Sequence, residues 1–335
     1  MRYITQLAGL LALSATLILM ACTPDDPAAF SENLRLRHKG ADMPVWVRGN
    51  MTGNKILLFL HGGPGECAIC LREFFADVEK EMAVAYWDQR ISGAASGNAD
   101  PATLNYPQFA EDLGMVIKLL KTRYPDAGIY LLGHSFGVEM AWQFLTTGNN
   151  QHEIEAFVAM DGVYATYDWL LQVREWVMRE AAAQGDAEAL TFMQNHPITP
   201  ENMRTVSWGD WYSRMFRLGA NPVWPTDDKD HVFYLWFKTP GSKFSQLANI
   251  GHYDHYYAEE IFTFDRSQLL KNVTIPVALF WGKKDGIIPI EMAYRTQERL
   301  ERAVPLVVFD NSWHSPMHTE QAKFSQALLD FVQEN

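Results

Sequence analysis

A serine stands between two glycines in the segment Gly133-His134-Ser135-Phe136-Gly137, directly after the mostly apolar run IYLL. A helical pattern follows, so Ser135 lies where a predicted strand gives way to a predicted helix. Glycine and serine both suit turns, and a plain turn is one interpretation. The other is a nucleophile elbow, whose sharply bent backbone leaves no room for side chains beside the serine. Residues elsewhere in the chain have to decide between the two.

Two further residues could make this serine a nucleophile. A serine hydroxyl attacks a carbonyl carbon only when a base removes its proton and an acid orients that base. Asp285 ends the predicted strand in IPVALFWGKKD, and His314 ends the one in PLVVFDNSWH. The carboxyl ends of parallel strands meet at one edge of a sheet, where α/β proteins place their ligand sites. The sequence therefore predicts a triad of Ser135 as nucleophile, Asp285 as acid and His314 as base.

Each triad member has a rival in the sequence. Asp161 ends the preceding predicted strand and is an alternative acid, although we favour Asp285. His318 is an alternative base, four residues after His314. Four motifs in the expected order favour a nucleophilic Ser135 over a plain turn serine.

A glycine-rich loop, HGGPGE, follows the predicted strand that ends in LFL. Such a loop can direct a backbone N–H group at the negative oxygen that develops on the substrate. We expect Gly63 to supply one donor of this oxyanion hole and Phe136, next to the nucleophile, the second. His61 is expected to brace the loop, and His134 to pack beside the elbow.

Predicted strands and helices alternate along the chain, which favours an α/β fold with a mostly parallel sheet and helices on both faces. The alternation stops between about Gly162 and Asp265, where the sequence is helical and rich in aromatic residues. We interpret residues 162–265 as a helical cap inserted into a core formed by residues 34–161 and 266–335.

The composition narrows the classes of function. The 335 residues carry 28 Lys and Arg against 40 Asp and Glu, a formal net charge of −12, which argues against nucleic-acid binding. We expect neither a metal nor an organic cofactor, and a small molecule or short peptide as substrate. The sequence does not indicate an oligomeric state.

The motifs HGGPGE, YWDQR and GHSFG together resemble the proline iminopeptidase branch of the α/β-hydrolase superfamily, over about residues 43–335. HGGPG with DQR is fairly specific for that branch, whereas G-x-S-x-G marks only the superfamily. The resemblance implies an α/β-hydrolase fold and cleavage of an amide or ester bond through an acyl-enzyme. The segment WHSPMHTE resembles the family ending G-H-x-P-x-x-E, whose first histidine, here His314, is the base.

Two motifs depart from that branch. ISGAASG follows Arg90 in place of a directly following glycine, and GHSFG replaces the usual GGSWG. The triad residues are unaffected, so these departures concern the substrate. We expect Asp88 and Arg90 of the DQR motif to form a structural pair that holds the loop beneath the site.

The aromatic residues of the insertion predict an apolar or ring-bearing substrate. Iminopeptidases also need carboxylates in the cap to bind the free α-amino group, and the resemblance places one near NIGHYDHYY, which contains Asp254. Other candidate acids are Asp210 and Glu175. The predicted substrate-binding residues are Trp208, Asp210, Trp211 and Asp254.

Several functions fit these residues. An aminopeptidase is slightly favoured over a carboxylesterase or a lactonase, and a non-catalytic ligand-binding protein on the same fold is a further alternative. An intact triad argues against the last of these. Dehalogenase or epoxide hydrolase chemistry would need an aspartate where the elbow has Ser135.

The first residues have the marks of an export signal: Arg2, an apolar run from Ile4 to Met20, and small residues at its end. Leu19-Met20-Ala21-Cys22 resembles a bacterial lipoprotein processing site. We therefore predict a signal peptide at residues 1–21, a lipidated Cys22, a tether at residues 22–33 and an exported, membrane-anchored protein. An uncleaved anchor helix is the alternative, but the apolar run is marginal for spanning a bilayer.

Cys67 and Cys70 form a Cys-x-x-Cys pair in CAIC. In an oxidising compartment such a pair can close as a disulfide. The alternative, two small residues that pack beside a helix, remains open. Two cysteines are too few for a structural zinc site.

Cleavage before Cys22, with lipid on its sulfur, is the first testable prediction. Mass spectrometry of the mature N-terminus should detect a lipid-modified Cys22 as the first residue. A chain that retains Met1, or a water-soluble product with a free thiol on Cys22, would contradict it.

Overall fold

The strands of the computed structural model, which describes residues 29–205, 207–222 and 261–335, lie in one sheet. In chain order they are β1 (Phe30–His38), β2 (Ala41–Gly49), β3 (Lys55–Leu60), β4 (Ala83–Trp87), β5 (Ser96–Gly97), β6 (Gly128–His134), β7 (Ala156–Met160), β8 (Val277–Gly282) and β9 (Leu306–Phe309). Their order across the sheet is β1-β2-β4-β3-β6-β7-β8-β9, and β5 pairs with β2. From β4 to β9 all neighbours are parallel, whereas β2 pairs antiparallel with β1, β4 and β5.

Helices connect the strands and cover both faces of the sheet. The α-helices among the described residues are α1 (Ala76–Glu81), α2 (Tyr106–Arg123), α3 (Phe136–Leu145), α4 (Thr166–Gln184), α5 (Ala187–Asn195), α6 (Trp208–Arg217), α7 (Glu291–Leu300), α8 (Pro316–Thr319) and α9 (Gln321–Glu334). Short 3₁₀ helices span Ile69–Phe75, Pro101–Thr103, Asn150–Glu153, Met203–Thr205 and Leu270–Asn272.

The almost wholly apolar strand β3 shows why both faces are covered. Its side chains alternate between the faces, and both sets are buried. Ile56, Leu58 and Leu60 pack in the hydrophobic cluster that includes α2 and α3. Leu57 and Phe59 pack in the opposite cluster, with α1 and α9. Burying each of these side chains stabilises the fold by about 1.5–3 kcal/mol.

Helix α2 confirms the helical periodicity seen in its sequence. It buries Phe109, Leu113, Val116, Ile117 and Leu120, the residues predicted to share one face. The side chain of Asn105 accepts a hydrogen bond from the Gln108 N–H group and so caps its first turn.

Strand β1 differs from the prediction for the start of the chain. The sequence predicts a tether over residues 22–33, but Phe30–His38 forms an edge strand that pairs with β2, from Phe30 opposite Gly49 to His38 opposite Ala41. Only Leu36 within β1 is buried, so its alternation is mostly polar and gives a weak signal in the sequence. Strand pairing therefore begins before residue 34.

The inserted segment leaves and rejoins the core at neighbouring points. The Thr166 N–H group donates to the Phe264 carbonyl (3.0 Å), and the Arg266 N–H group donates to the Tyr164 carbonyl (2.8 Å). Ala165 and Asp265 form an isolated bridge between these two bonds. Helices α4, α5 and α6 therefore rise from the edge of the sheet at which β7 ends.

Several predictions lie outside the described residues. These are the signal peptide at residues 1–21, the lipidation site Cys22 and the candidate acid Asp254. Within the ranges that the structure describes, we find no helix with the length and apolar character needed to cross a bilayer.

Candidate active site

Ser135 occupies a sharp corner between β6 and α3. Its φ of 52° and ψ of −121° are strained for a residue with a side chain, and its N–H group donates to the Met160 carbonyl (3.0 Å). A Cβ atom on Gly133 would lie 2.8 Å from the Gly137 oxygen, and one on Gly137 would lie 2.1 Å from the Leu60 oxygen. Both glycines are therefore required by close backbone contacts, as in a nucleophile elbow.

His314 and Asp285 lie together, almost fully buried. The Nδ1 atom of His314 is 2.7 Å from the Oδ2 atom of Asp285. The other oxygen of Asp285 accepts the N–H groups of Ile287 (2.8 Å) and Ile288 (3.0 Å). With its proton held on Nδ1 by the carboxylate, the imidazole presents Nε2 as a base. His314 and Ser135 line the same cavity.

The loop that carries Asp285 is fixed by the inserted segment. The Trp169 indole N–H donates to the Ile287 carbonyl (2.7 Å), and the Gly286 N–H donates to the Ala220 carbonyl (2.9 Å). A Cβ atom on Gly286 would lie only 2.4 Å from the ring of Trp176. The orientation of the acid therefore depends on packing against the cap.

The rival acid and base do not form this pair. One oxygen of Asp161 accepts the Gly282 N–H group (2.9 Å). His318 packs against Phe74, with 4.8 Å between the ring centroids. The hydrogen bond to Asp285 thus belongs to His314.

His134 is hydrogen-bonded to the backbone of His314. Its Nε2–H donates to the His314 carbonyl (2.7 Å), which fixes the backbone of the base. Burial lowers the pKa of His134 to about 3, so the ring is neutral at physiological pH. His134, which the sequence predicts to be structural, therefore has a specific partner, the His314 carbonyl group.

Gly63 and Phe136 line the cavity beside Ser135, where the sequence placed the oxyanion hole. Gly63 has a φ of 110°, and a Cβ there would lie 2.8 Å from the Gly65 nitrogen. His61 braces the loop: its Nδ1–H donates to the Gly62 carbonyl (2.8 Å), and its Nε2 accepts the Gln89 N–H group (3.3 Å). Burial lowers the pKa of His61 to about 4, which keeps the ring neutral.

Cys67 and Cys70 form a disulfide, with 5.4 Å between their Cα atoms. Asp88 holds the short segment between them, because its carboxylate accepts the Ala68 N–H group (2.7 Å). The other carboxylate oxygen of Asp88 accepts the Ala94 N–H group (2.7 Å). Burial raises the pKa of Asp88 to about 7 against these hydrogen bonds. Asp88 therefore joins two loops beneath the site.

The prediction that Asp88 and Arg90 pair with each other is wrong. The guanidinium of Arg90 binds both oxygens of Asp112 on α2 (2.5 and 2.8 Å) and donates to Thr103 (2.6 Å). Asp88 is engaged by backbone N–H groups instead. Asp88 and Arg90 are both structural, but each fixes a different part of the chain.

The cavity over Ser135 has a volume of about 160 Å³. A cavity of about 150 Å³ accommodates benzene, so the space fits one small ring or branched group. Among the described residues the lining is mainly apolar, and it comes from Gly63, Pro64, Glu66, His134, Ser135, Phe136, Glu139, Val163, Trp169, Tyr212, Phe216, Ile261, Ile287, Ile288 and His314.

Two carboxyl groups in this lining were not predicted as site residues. Glu66 lies near Ser135, on the other side of Gly62. A Cβ atom placed on Gly62 would lie 3.1 Å from the Cβ atom of Ser135 and 3.2 Å from the Oε2 atom of Glu66. Glu139 is buried and accepts a hydrogen bond from the Tyr106 hydroxyl. The signals were present: Glu66 directly follows HGGPG, and Glu139 lies four residues after Ser135, on the same helix face.

Among the described cap residues, those at the cavity over Ser135 differ from the predicted Asp210 and Trp211. Trp211 is buried in the hydrophobic core, and Asp210 lies at a separate cavity beside Phe192. Tyr212 and Phe216 of the same helix line the cavity over Ser135. Trp208 begins this helix, α6, but its side chain is outside the description, as is all of Asp254. Tyr212 and Phe216 are four residues apart and so share one face of α6. The face that meets the cavity therefore includes the residue after Trp211 and not Trp211 itself.

The family of the chain follows from its sequence as well as its sheet. The sequence profile described as the alpha/beta hydrolase fold matches residues 55–321, most of the length. The chain belongs to the α/β-hydrolase family. The predicted fold, a mostly parallel sheet with helices on both faces, is thereby confirmed.

Known members of this family resemble the hydrolase over most of its length. A Bacillus subtilis (strain 168) protein named as a probable aminopeptidase is 22% identical over 314 residues, covering 85% of this chain and 91% of its own. The crystal structure of the proline iminopeptidase from Mycobacterium smegmatis has a TM-score of 0.62 at 13% identity, over 90% of this chain and 98% of its own. An esterase from Exiguobacterium antarcticum has a TM-score of 0.54 at 18% identity, over 88% and 96%. The two structural likenesses establish the fold alone.

Glu139→Gln should change how stability depends on pH. Burial raises the pKa of Glu139 from its ordinary 4.5 to about 8, so the folded hydrolase retains a proton that the unfolded chain releases. The wild type should therefore lose free energy of unfolding relative to the variant as pH rises from about 4.5 to about 8, with a constant difference above that range. Glutamine retains an acceptor for Tyr106.

Denaturant unfolding across this pH range measures the effect, with the exposed Glu153→Gln as a matched control. Parallel curves for the wild type and Glu139→Gln would contradict a buried, protonated Glu139.

Proposed function

We propose that this protein is a serine hydrolase that cleaves amide or ester bonds through an acyl-enzyme on Ser135. The observation that carries the proposal is the 2.7 Å contact between His314 Nδ1 and Asp285 Oδ2, at the cavity whose floor is the strained Ser135. A serine, an imidazole and a buried carboxylate in this order support nucleophilic catalysis.

The reaction follows from the roles of these groups. His314 Nε2 accepts the Ser135 hydroxyl proton as Oγ bonds to the substrate carbonyl carbon. The N–H groups of Gly63 and Phe136 are the donors for the resulting oxyanion, and one such donor is worth about 10²–10³ in turnover. His314 then gives its proton to the leaving amine or alcohol. A water molecule, deprotonated by His314, releases the acid product and restores Ser135.

An aminopeptidase specific for a small apolar N-terminal residue fits the cavity best. Glu66 and Glu139 are carboxyl groups in an otherwise mainly apolar lining, suited to an α-ammonium group beside the scissile bond. A substrate cation favours the ionised form of Glu139, which burial otherwise disfavours. Tyr212, Phe216 and Trp169 offer flat surfaces for a proline ring or a branched side chain. The names of the B. subtilis and M. smegmatis relatives agree with this activity.

A carboxylesterase or lactonase is the second candidate. Because burial raises the pKa of Glu139 to about 8, this group is mostly protonated at neutral pH in the free enzyme. A neutral acid in an apolar lining suits an uncharged ester, and the E. antarcticum relative is an esterase. The substrate's amino group is the feature that separates the two candidates.

Export and lipid anchoring through Cys22 complete the proposal. The Cys67–Cys70 disulfide supports it, since such bonds persist mainly in oxidising compartments outside the cytosol. Exposed on a membrane surface, the enzyme would meet short peptides or small esters from outside the cell.

A comparison of three substrates tests the aminopeptidase. A prolyl arylamide with a free amine should be cleaved far faster than its N-acylated form and than a simple aryl ester of similar size. Glu139→Gln should lower kcat/KM for the free amine by about 10- to 100-fold, because a charge-assisted hydrogen bond is lost. The ester rate should change little.

Asp210→Asn is the matched control, because the sequence suggested this acid but the structure places it at another cavity. Equal rates on free and blocked amides, or cleavage of esters alone, would remove the aminopeptidase and leave the esterase. A loss in Asp210→Asn equal to that in Glu139→Gln would contradict the assignment of the amine site.

A further inference from the structure

A second buried acid lies beside the triad. Asp161 follows β7. This strand lies between β6, which precedes Ser135, and β8, which precedes Asp285. Asp161 is fully buried, with a φ of 46°. One carboxyl oxygen accepts the Gly282 N–H group, whereas Oδ2 has no hydrogen-bond partner. A buried polar atom without a partner is costly, so it calls for an explanation.

This carboxyl group lies close to the catalytic base. A carboxyl oxygen of Asp161, a ring nitrogen of His134 and a ring nitrogen of His314 all lie within 4.8 Å of one another. A carboxylate this near a buried imidazole stabilises the imidazolium by direct Coulomb attraction, because little water separates them.

The two acids compete for one negative charge. Burial, and then the charge of Asp285, raise the pKa of Asp161 well above its ordinary value. Two carboxylates that share a buried site cannot readily ionise together. Two backbone N–H groups and His314 surround the carboxyl group of Asp285, whereas the carboxyl group of Asp161 accepts one N–H group. Removing the charge on Asp285 removes one of the two causes that keep Asp161 neutral.

We propose that Asp161 is a reserve positioning residue for His314, which takes the negative charge and orients the imidazole when Asp285 cannot. The titratable groups that face it are His134 at the end of β6, Asp285 in the loop after β8 and His314 in the loop after β9. His134 is neutral and adds no competing charge. The inference rests on the triad of the proposed function and is independent of whether the substrate is an amide or an ester.

The test compares Asp285→Asn, Asp161→Asn and the double variant on an aryl ester or arylamide that the wild type cleaves. Asparagine is isosteric, and at position 161 it retains the acceptor for the Gly282 N–H group. Loss of the orienting carboxylate in a triad typically costs about 10⁴ in turnover. We expect Asp161→Asn to stay within a few-fold of the wild type, Asp285→Asn to lose about 100-fold or less, and the double variant to lose about 10⁴.

Two further measurements separate positioning from a structural role. The pH profile of Asp285→Asn should show an additional rise with pH, beyond that due to deprotonation of His314, because Asp161 must ionise; the double variant should lack this additional rise. In proton NMR, the downfield resonance of a His314 Nδ1–H bound to a carboxylate should persist in Asp285→Asn and vanish in the double variant. This signal needs no turnover, so it decides the inference even if the tested substrates are not cleaved.

Asp310→Asn, an exposed acid that pairs with Lys283, controls for general effects of losing a carboxylate. Thermal unfolding of each variant checks that the fold is retained. The proposal is overturned if Asp285→Asn is as inactive as the double variant, or if the downfield resonance is already absent in Asp285→Asn.

Discussion

The hydrogen bond between Asp285 and His314 is the contact on which the site depends. It is buried, 2.7 Å long, and joins the loops that follow two neighbouring parallel strands. For these loops to meet, β8 and β9 must be adjacent, and the backbone at Gly282 must leave room: a Cβ there would lie 1.8 Å from the Trp313 oxygen. The order and register of the strands therefore determine how Asp285 and His314 are placed relative to each other.

The cap takes part in this geometry as well as lining the cavity over Ser135. Trp169 and Ala220 bind the backbone of the acid loop, while Tyr212 and Phe216 line the cavity above Ser135. Movement of these cap residues would change substrate access and the orientation of Asp285 together. Beneath the site, Asp88 and the Cys67–Cys70 disulfide fix the segment that follows the oxyanion loop.

Much of this arrangement could be predicted from the sequence, because it depends on local patterns. Apolar strands of the β3 type and the periodicity of α2 predicted a sheet with two covered faces. Strand ends then indicated where Ser135, Asp285 and His314 would converge, and the structure brings Asp285 and His314 into contact at the cavity of Ser135.

The features that were missed depend on tertiary contacts. Strand β1 pairs through its backbone and buries a single side chain within the strand, Leu36. In the sequence, Asp88 and Asp112 are both possible partners of Arg90. The folded structure pairs Arg90 with Asp112. The face of α6 that meets the cavity depends on how the helix is rotated, which aromatic content alone does not determine.

Labelling with a fluorophosphonate, followed by peptide mass spectrometry, tests the central claim most directly. The account predicts a single adduct on the peptide that contains Ser135 in the native protein. That adduct should be absent from Ser135→Ala and from heat-denatured wild type, because reactivity requires His314 and Asp285 in place. Hydrolysis that continues in Ser135→Ala, or an adduct on a different residue of the native protein, would contradict it.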